Sequence, residues 1–195
     1  MQKAVFLDKD GIINSLVERP DGRMTSPWTF LEFLKHFDRN IIQYVNTLKE
    51  LGYIVFVVTN QPGVMDGDMY ITELDDICGF LEDDVGIQHV LYALKKGTEL
   101  YKPNNGMIEA LVGLYDIDRE HSFMIGDRWK DIVAGKKSGL TTIYVNESTY
   151  TTEDPEDLGP NYKVSTVGAA IDIIYKDRKS TRLNSSHTDI SRMPS

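Results

Sequence analysis

Short apolar runs alternate along the chain with segments whose apolar residues recur every three or four positions. The runs predict strands and the spaced segments predict helices covering them. Ala4 to Leu7 opens as a strand. Asp38 can cap a helix that carries Ile41, Ile42, Val45, Leu48 and Leu51 on one face, and Gly52 closes it. Ile54 to Val58 is an unbroken, mostly β-branched run, the pattern of a central strand buried on both faces. Thr72 can cap a second helix with Leu74, Ile77, Cys78, Leu81 and Val85 at helical spacing. Val90 to Leu94 is a weaker strand, and Met107, Ile108, Leu111, Val112 and Tyr115 mark a third helix. Ser122 to Ile125, Trp129 to Ser138 and Thr142 to Val145 predict strand, short helix and strand. Tyr162 to Tyr175 adds a small strand and a terminal helix. The alternation predicts an α/β fold, a three-layer sandwich around a central parallel sheet of about five strands.

Two stretches break this rhythm. Residues 12–36 separate the first strand from its helix and contain Pro20, Gly22 and Pro27. That is long for a βα connection, and long loops are usually functional or disordered. A hairpin-like flap over the strand ends is expected there, with no room for a large cap domain. The second stretch, 179–195, is rich in Ser and Thr and lacks periodicity. It reads as a disordered, non-native tail, because the run from Ser180 to His187 resembles translated adapter sequence. One domain is therefore expected over 1–178.

Charge narrows the choice of partners. The 195 residues carry 21 Lys and Arg against 30 Asp and Glu, a net charge of −9. Such a chain is a poor non-specific nucleic-acid binder, which needs clustered cations. A small phosphorylated metabolite needs only a local positive pocket. Cys78 is the single cysteine, so neither an internal disulfide nor a cysteine metal cluster can form. Met1 leads straight into the first strand with no leader pattern, and no apolar run reaches membrane-spanning length. The expectation is a soluble cytoplasmic protein with no membrane partner, a monomer or weak homodimer.

The candidate chemistry lies at element boundaries. Asp8 and Asp10 follow the first strand one residue apart, so they project to roughly the same side while Lys9 points away. Two neighbouring carboxylates repel unless a cation lies between them, and a hard ion such as Mg²⁺ fits their oxygens. Gly11 lets the chain turn at once. Thr59-Asn60-Gln61 ends the second strand, Lys102-Pro103 precedes the third helix, and Gly126-Asp127-Arg128 ends the fourth strand with Asp131 a turn later. Taken singly each has a plain reading: Asp8 to Gly11 a turn, Thr59 a strand-end turn or cap, Lys102 a solvated surface lysine, Asp127 a helix cap, Asp131 a first-turn acid. Their order argues otherwise. In open α/β sheets ligands bind at the carboxyl ends of the strands, and there these residues converge if the fourth strand lies beside the first.

Phe6-Leu7-Asp8-Lys9-Asp10-Gly11, Val58-Thr59-Asn60-Gln61, Tyr101-Lys102-Pro103 and Ile125-Gly126-Asp127 resemble, in order, the four motifs of the haloacid dehalogenase (HAD) superfamily. The resemblance covers roughly residues 3 to 146 and extends plausibly to 176. Asp10-Gly11-Ile12-Ile13-Asn14, Thr59-Asn60-Gln61-Pro62-Gly63 and the run from Lys102 to Met107 look like subclass IIIA, the branch of heptose bisphosphate phosphatases and histidinol-phosphatases. It implies a Rossmann-like fold and a Mg²⁺-dependent phosphomonoester hydrolase acting on a sugar phosphate. Asp8 would be the nucleophile forming an aspartyl-phosphate, and Asp10 the general acid and base. Asp8, the Asp10 carbonyl and Asp127 would hold Mg²⁺. Thr59, Asn60 and Gln61 would meet the substrate, with Lys102 neutralising its charge and Arg128 adding a second cation. Heptose phosphatases carry a cysteine-rich zinc loop before the Lys-Pro motif; Tyr92 to Tyr101 has no cysteine, so no zinc is expected. Tyr101 stands where they carry Arg, and Gly63-Val64-Met65-Asp66-Gly67 lacks another of their arginines. The alternatives are a histidinol-phosphatase, a polynucleotide 3′-phosphatase, and, outside this class, a phosphoacceptor receiver or non-catalytic binding module.

Overall fold

The computed structural model describes residues 1–146 and 159–190, with side chains described to residue 178. At its centre lies strand β1 (Lys3–Leu7), flanked by β4 (Tyr53–Asn60) and β6 (Phe123–Gly126), both parallel to it. Outside β4 lies β5 (His89–Ala93); outside β6 lie β7 (Thr141–Val145) and β8 (Tyr162–Val164). Among the described residues these form a six-stranded parallel sheet in the order β5-β4-β1-β6-β7-β8. The count of about five strands gains β8, a short strand whose residues are exposed or half-buried at the edge.

Period-two alternation along β1 divides the core into two layers. Val5 and Leu7 face one side, joining Val55, Val57 and Ile125 under helices α2 (Asn40–Glu50), α4 (Ile71–Asp83) and the start of α7 (Val167–Ile190). Ala4 and Phe6 face the other, with Phe56, Val58 and Met124 under α5 (Gly106–Tyr115) and α6 (Trp129–Lys137). A helix layer on each face of the sheet makes the three-layer α/β architecture. The mostly β-branched stretch 55–58 of β4 is fully buried and fits a strand covered on both faces. Asp38 accepts from the Asn40 N–H just ahead of α2, whereas Thr72 lies inside the first turn of α4, which starts at Ile71.

The chain leaves β1 toward β4 and β5, then returns to β6 on the other side. Strand order therefore reverses between β1 and β6, and a crevice opens at their carboxyl ends.

The 12–36 segment contains an antiparallel hairpin, β2 (Val17–Glu18) with β3 (Met24–Thr25), followed by α1 (Phe30–His36). Gly22 takes φ +81° in its turn, a conformation that costs glycine little. The short helix α3 (Gly63–Asp66) follows β4. Phe30, Phe33 and Phe37 pack around Phe80 of α4 with centroids 5.3–5.9 Å away, anchoring the segment to the domain. The expectation of a tail without structure from residue 179 meets a helical backbone that continues to Ile190. No glycine or proline interrupts the sequence between Gly168 and Pro194, so nothing in it stops the helix earlier. Residues 191–195 lie outside the described residues.

Candidate active site

Leu7 is the last residue of β1, and the Asp8 N–H still reaches across to the Ile125 carbonyl at 3.0 Å. The chain then turns sharply: the Lys9 carbonyl accepts from the N–H groups of Ile12, Ile13 and Asn14, and Gly11 takes φ +89°. A Cβ on Gly11 would overlap the Asp127 carboxylate, which follows β6. Glycine is thus required twice, by the turn and by the close approach. Asp131 enters from the first turn of α6, its Oδ2 accepting from the Arg128 N–H at 3.1 Å. Asp8, Asp127 and Asp131 are all buried and bring carboxylate oxygens within 4.8 Å of one another.

One ammonium answers two of these charges. Lys102 Nζ lies 2.6 Å from Asp131 Oδ1, 2.9 Å from Asp8 Oδ1 and 2.7 Å from the Val58 carbonyl. Its three hydrogens thus have three acceptors. The plain reading of Lys102 as a solvated lysine is excluded: it is fully buried. Burial opposes its charge, but Asp131 and Asp8 outweigh that and raise its pKa. One cation does not balance three acids. Burial, reinforced by Asp131 and Asp10 and only partly offset by Lys102, pushes Asp8 up to about 7. Burial together with Asp8 and Asp131 pushes Asp127 up to about 8. A buried cluster of hard carboxylate oxygens that resists ionising is a fitting seat for a divalent cation.

Asp10 stands apart from this cluster. Its Oδ1 accepts from Lys9 Nζ at 2.6 Å and Asn14 Nδ2 at 3.0 Å; its Oδ2 accepts from Gln61 Nε2 at 2.7 Å and Ser26 Oγ at 2.8 Å. Burial works to raise its pKa, but Lys9 and these hydrogen bonds prevail and lower it. Lys9 does not point away, as strand alternation would have it. The strand has already ended, so its side chain folds back, fully buried, over the Phe33 ring.

The remaining motif residues sit close by. Thr59 and Asn60 line a cleft of about 230 Å³ with Asp8, Asp10, Lys102 and Arg128. The Asn60 side chain is committed elsewhere: Oδ1 accepts from the Lys102 N–H and Nδ2 donates to the Lys102 carbonyl, clamping that loop to β4. Gln61, buried, gives its amide to Asp10 and to Thr59 Oγ1 and so lies behind the cleft wall. Arg128 is at the rim, half exposed, its Nε 4.0 Å from Asp127 Oδ2. Tyr101 joins both the core and the cleft wall, with Lys130 Nζ 5.9 Å above its ring.

Lys9, Asn14 and Ser26 were not among the residues singled out from the sequence. Lys9 and Asn14 lie inside quoted motif runs, Asp8-Lys9-Asp10 and Asp10-Gly11-Ile12-Ile13-Asn14, whereas Ser26 reaches Asp10 through a long connection that no periodicity predicts. No helix among the described residues is long and apolar enough to cross a membrane.

Comparison with known proteins bears on the family and the fold. The HAD-hydrolase-like family matches residues 100–170. The chain is 32% identical over 155 residues to a D-glycero-alpha-D-manno-heptose-1,7-bisphosphate 7-phosphatase of Burkholderia mallei, covering 72% of this chain and 77% of that one. It is 30% identical over 142 residues to the D-glycero-beta-D-manno-heptose-1,7-bisphosphate 7-phosphatase of Helicobacter pylori, covering 68% and 76%. Among solved structures, the D,D-heptose 1,7-bisphosphate phosphatase of B. bronchiseptica, complexed with magnesium and phosphate, superposes with a TM-score of 0.69 at 18% identity over 90% of this chain and 99% of that one. With the fold, the order of its four motifs and these relatives in agreement, the chain belongs to the HAD superfamily of hydrolases, in its heptose bisphosphate phosphatase branch, and is a phosphatase.

Proposed function

We propose that this protein is a Mg²⁺-dependent phosphatase of small sugar phosphates, working through an aspartyl-phosphate on Asp8. The observation that carries the reading is the convergence of Asp8, Asp127, Asp131 and Lys102 beside Thr59, in a cleft at the strand ends where sheet order reverses. The relatives' names add the sugar phosphate, and the heptose phosphatase structure with magnesium and phosphate supports the metal.

In the first step an Asp8 oxygen attacks phosphorus, forming the acyl phosphate as the ester P–O bond breaks. The leaving oxygen takes a proton from Asp10. Asp10 is held as a carboxylate in the free protein, and a phosphate arriving beside it adds like charge that favours proton uptake. In the second step water attacks phosphorus, gives a proton back to Asp10 and releases phosphate, restoring Asp8. Lys102 steadies Asp8 and offsets charge at the phosphoryl group, while the Thr59 hydroxyl donates to a phosphoryl oxygen. Asn60 serves by fixing the Lys102 backbone, and Arg128 offers charge at the rim. Asp8 and Asp127, with the Asp10 carbonyl, would hold Mg²⁺, whose charge shields the nucleophile from the anionic substrate.

The test is phosphate release from a panel of sugar phosphates, histidinol phosphate and a 3′-phosphorylated oligonucleotide, with and without Mg²⁺, beside Asp8→Asn. Metal-dependent release that favours sugar phosphates and disappears in Asp8→Asn is expected. A folded wild-type protein that hydrolyses none of the sugar phosphates would overturn the reading.

A further inference from the structure

From beyond the β2–β3 hairpin, the flap reaches the acidic pair through Ser26. Its Oγ donates to Asp10 Oδ2 at 2.8 Å, sharing that oxygen with Gln61 Nε2. Lys9, Asn14 and Gln61 sit within a few residues of the ends of β1 or β4, whereas Ser26 arrives from beyond the β2–β3 hairpin.

That hairpin is locked from inside by Arg19. Its Nε donates to Thr25 Oγ1 at 2.7 Å, and Nη2 donates to the Ser26 carbonyl at 3.0 Å. Nη1 and Nη2 grip the Glu32 carboxylate at 2.8 and 3.0 Å, and the guanidinium stacks 3.5 Å from the Trp28 ring. The Ser26 carbonyl also receives the Thr25 hydroxyl at 3.0 Å. Only 9% of the Arg19 side chain is exposed. Its charge is committed to the flap itself and not offered to a substrate. A planar cation held on both edges and one face makes a rigid mount.

We propose that Ser26 is a positioning residue for Asp10: the flap, fixed by Arg19, holds the Asp10 carboxylate where it can serve the leaving oxygen. The flap then belongs to the machinery of the reaction as well as to the wall of the cleft. This rests on the Asp10 role given above. Without the Ser26 hydroxyl, Gln61 alone retains Oδ2 and the carboxylate gains torsional freedom. Small displacements of a reacting group are costly in rate.

Leaving-group dependence separates positioning from mere support. A sugar alkoxide needs a proton as it departs; p-nitrophenolate does not. Single-turnover measurements read the first step alone, for a sugar phosphate accepted by the wild type and for p-nitrophenyl phosphate. Ser26→Ala, by loosening the Asp10 carboxylate, is expected to slow the sugar phosphate by about tenfold or more. The aryl phosphate should change less than about twofold, and Ser26→Thr, which keeps the hydroxyl, should restore the sugar phosphate rate. Equal losses on both substrates, or none on either, would overturn the proposal. Asp10→Asn must show the same selectivity; if it does not, the Asp10 role itself fails and the proposal falls with it. Wild-type turnover and thermal melts of each variant keep the two failures apart.

Discussion

Lys102 Nζ stands 2.6 Å from Asp131 Oδ1, with 3% and 1% of the two side chains exposed. The residues are 29 apart in sequence and come from different elements, the loop before α5 and the first turn of α6. Asp131 is thus, with Asp8, a counter-charge to a buried lysine. Removing one partner of a buried pair costs about 3–5 kcal/mol when the other is left uncompensated, but Lys102 keeps Asp8 at 2.9 Å. Asp131→Asn can also still accept the Arg128 N–H, so a loss below that range is expected in denaturant unfolding. Turnover should fall by at least about tenfold as Lys102 loses this partner. A variant as stable and as active as the wild type would contradict this.

Gly11 offers a cleaner separation of backbone strain from site geometry. Gly11→Ala places a Cβ into the Asp127 carboxylate at φ +89°, whereas Gly22→Ala, at φ +81°, has open space around it. Both substitutions carry the strain of a positive φ, about 1–3 kcal/mol. If Asp127 is a Mg²⁺ ligand, as proposed, only Gly11→Ala should also weaken Mg²⁺ binding, by about 10–100-fold, because it displaces that carboxylate. Calorimetric Mg²⁺ titration of both variants decides it; equal affinities would mean that Asp127 does not depend on Gly11.

Cys78 should be chemically silent in the native protein. Burial, with the Glu82 carboxylate adding to it, pushes its thiol up to about 12. At pH 8 about one molecule in ten thousand would carry the reactive thiolate. Alkylation should be negligible in buffer and rapid in denaturant. Fast native labelling would show that α4 opens readily.

The sheet was legible because its strands obey simple rules. Val5 and Leu7 alternate with Ala4 and Phe6, Ile54 to Val58 is continuous, and each run ends where a chemistry-bearing residue begins. Asp8, Asp10 and Asp127 come together because a parallel sheet delivers strand ends to one edge, while Lys102 joins them from the loop before α5. The partners were not legible. Asn60 looks like a substrate donor in sequence, yet its amide clamps Lys102, and Gln61 holds Asp10 from behind. Lys9 inverts the period-two expectation because β1 stops at Leu7. Ser26 meets Asp10 across a hairpin whose two-residue strands leave no periodic trace. Contacts of this kind depend on loop conformation, which no local pattern encodes.

The Arg19–Glu32 pair makes the flap sensitive to acid. The Arg19 hydrogen bond, aided by the Trp28 N–H, holds Glu32 below its ordinary 4.5 despite partial burial. A carboxylate whose folded pKa is depressed stabilises the fold above its unfolded value and loses that contribution as pH falls through the folded one. With about a third of Glu32 exposed, solvent screens the pair, so about 1 kcal/mol is a fair scale. Glu32→Gln should therefore melt below the wild type at pH 7, and the gap should narrow as pH drops below about 4.5. If the flap must be fixed for Ser26 to hold Asp10, Glu32→Gln should also slow the first step on a sugar phosphate more than on p-nitrophenyl phosphate. Melting curves from pH 3 to 7 and the same single-turnover pair test both halves. A gap that is independent of pH would assign the loss to packing, and an unselective rate would detach the Arg19 lock from the chemistry.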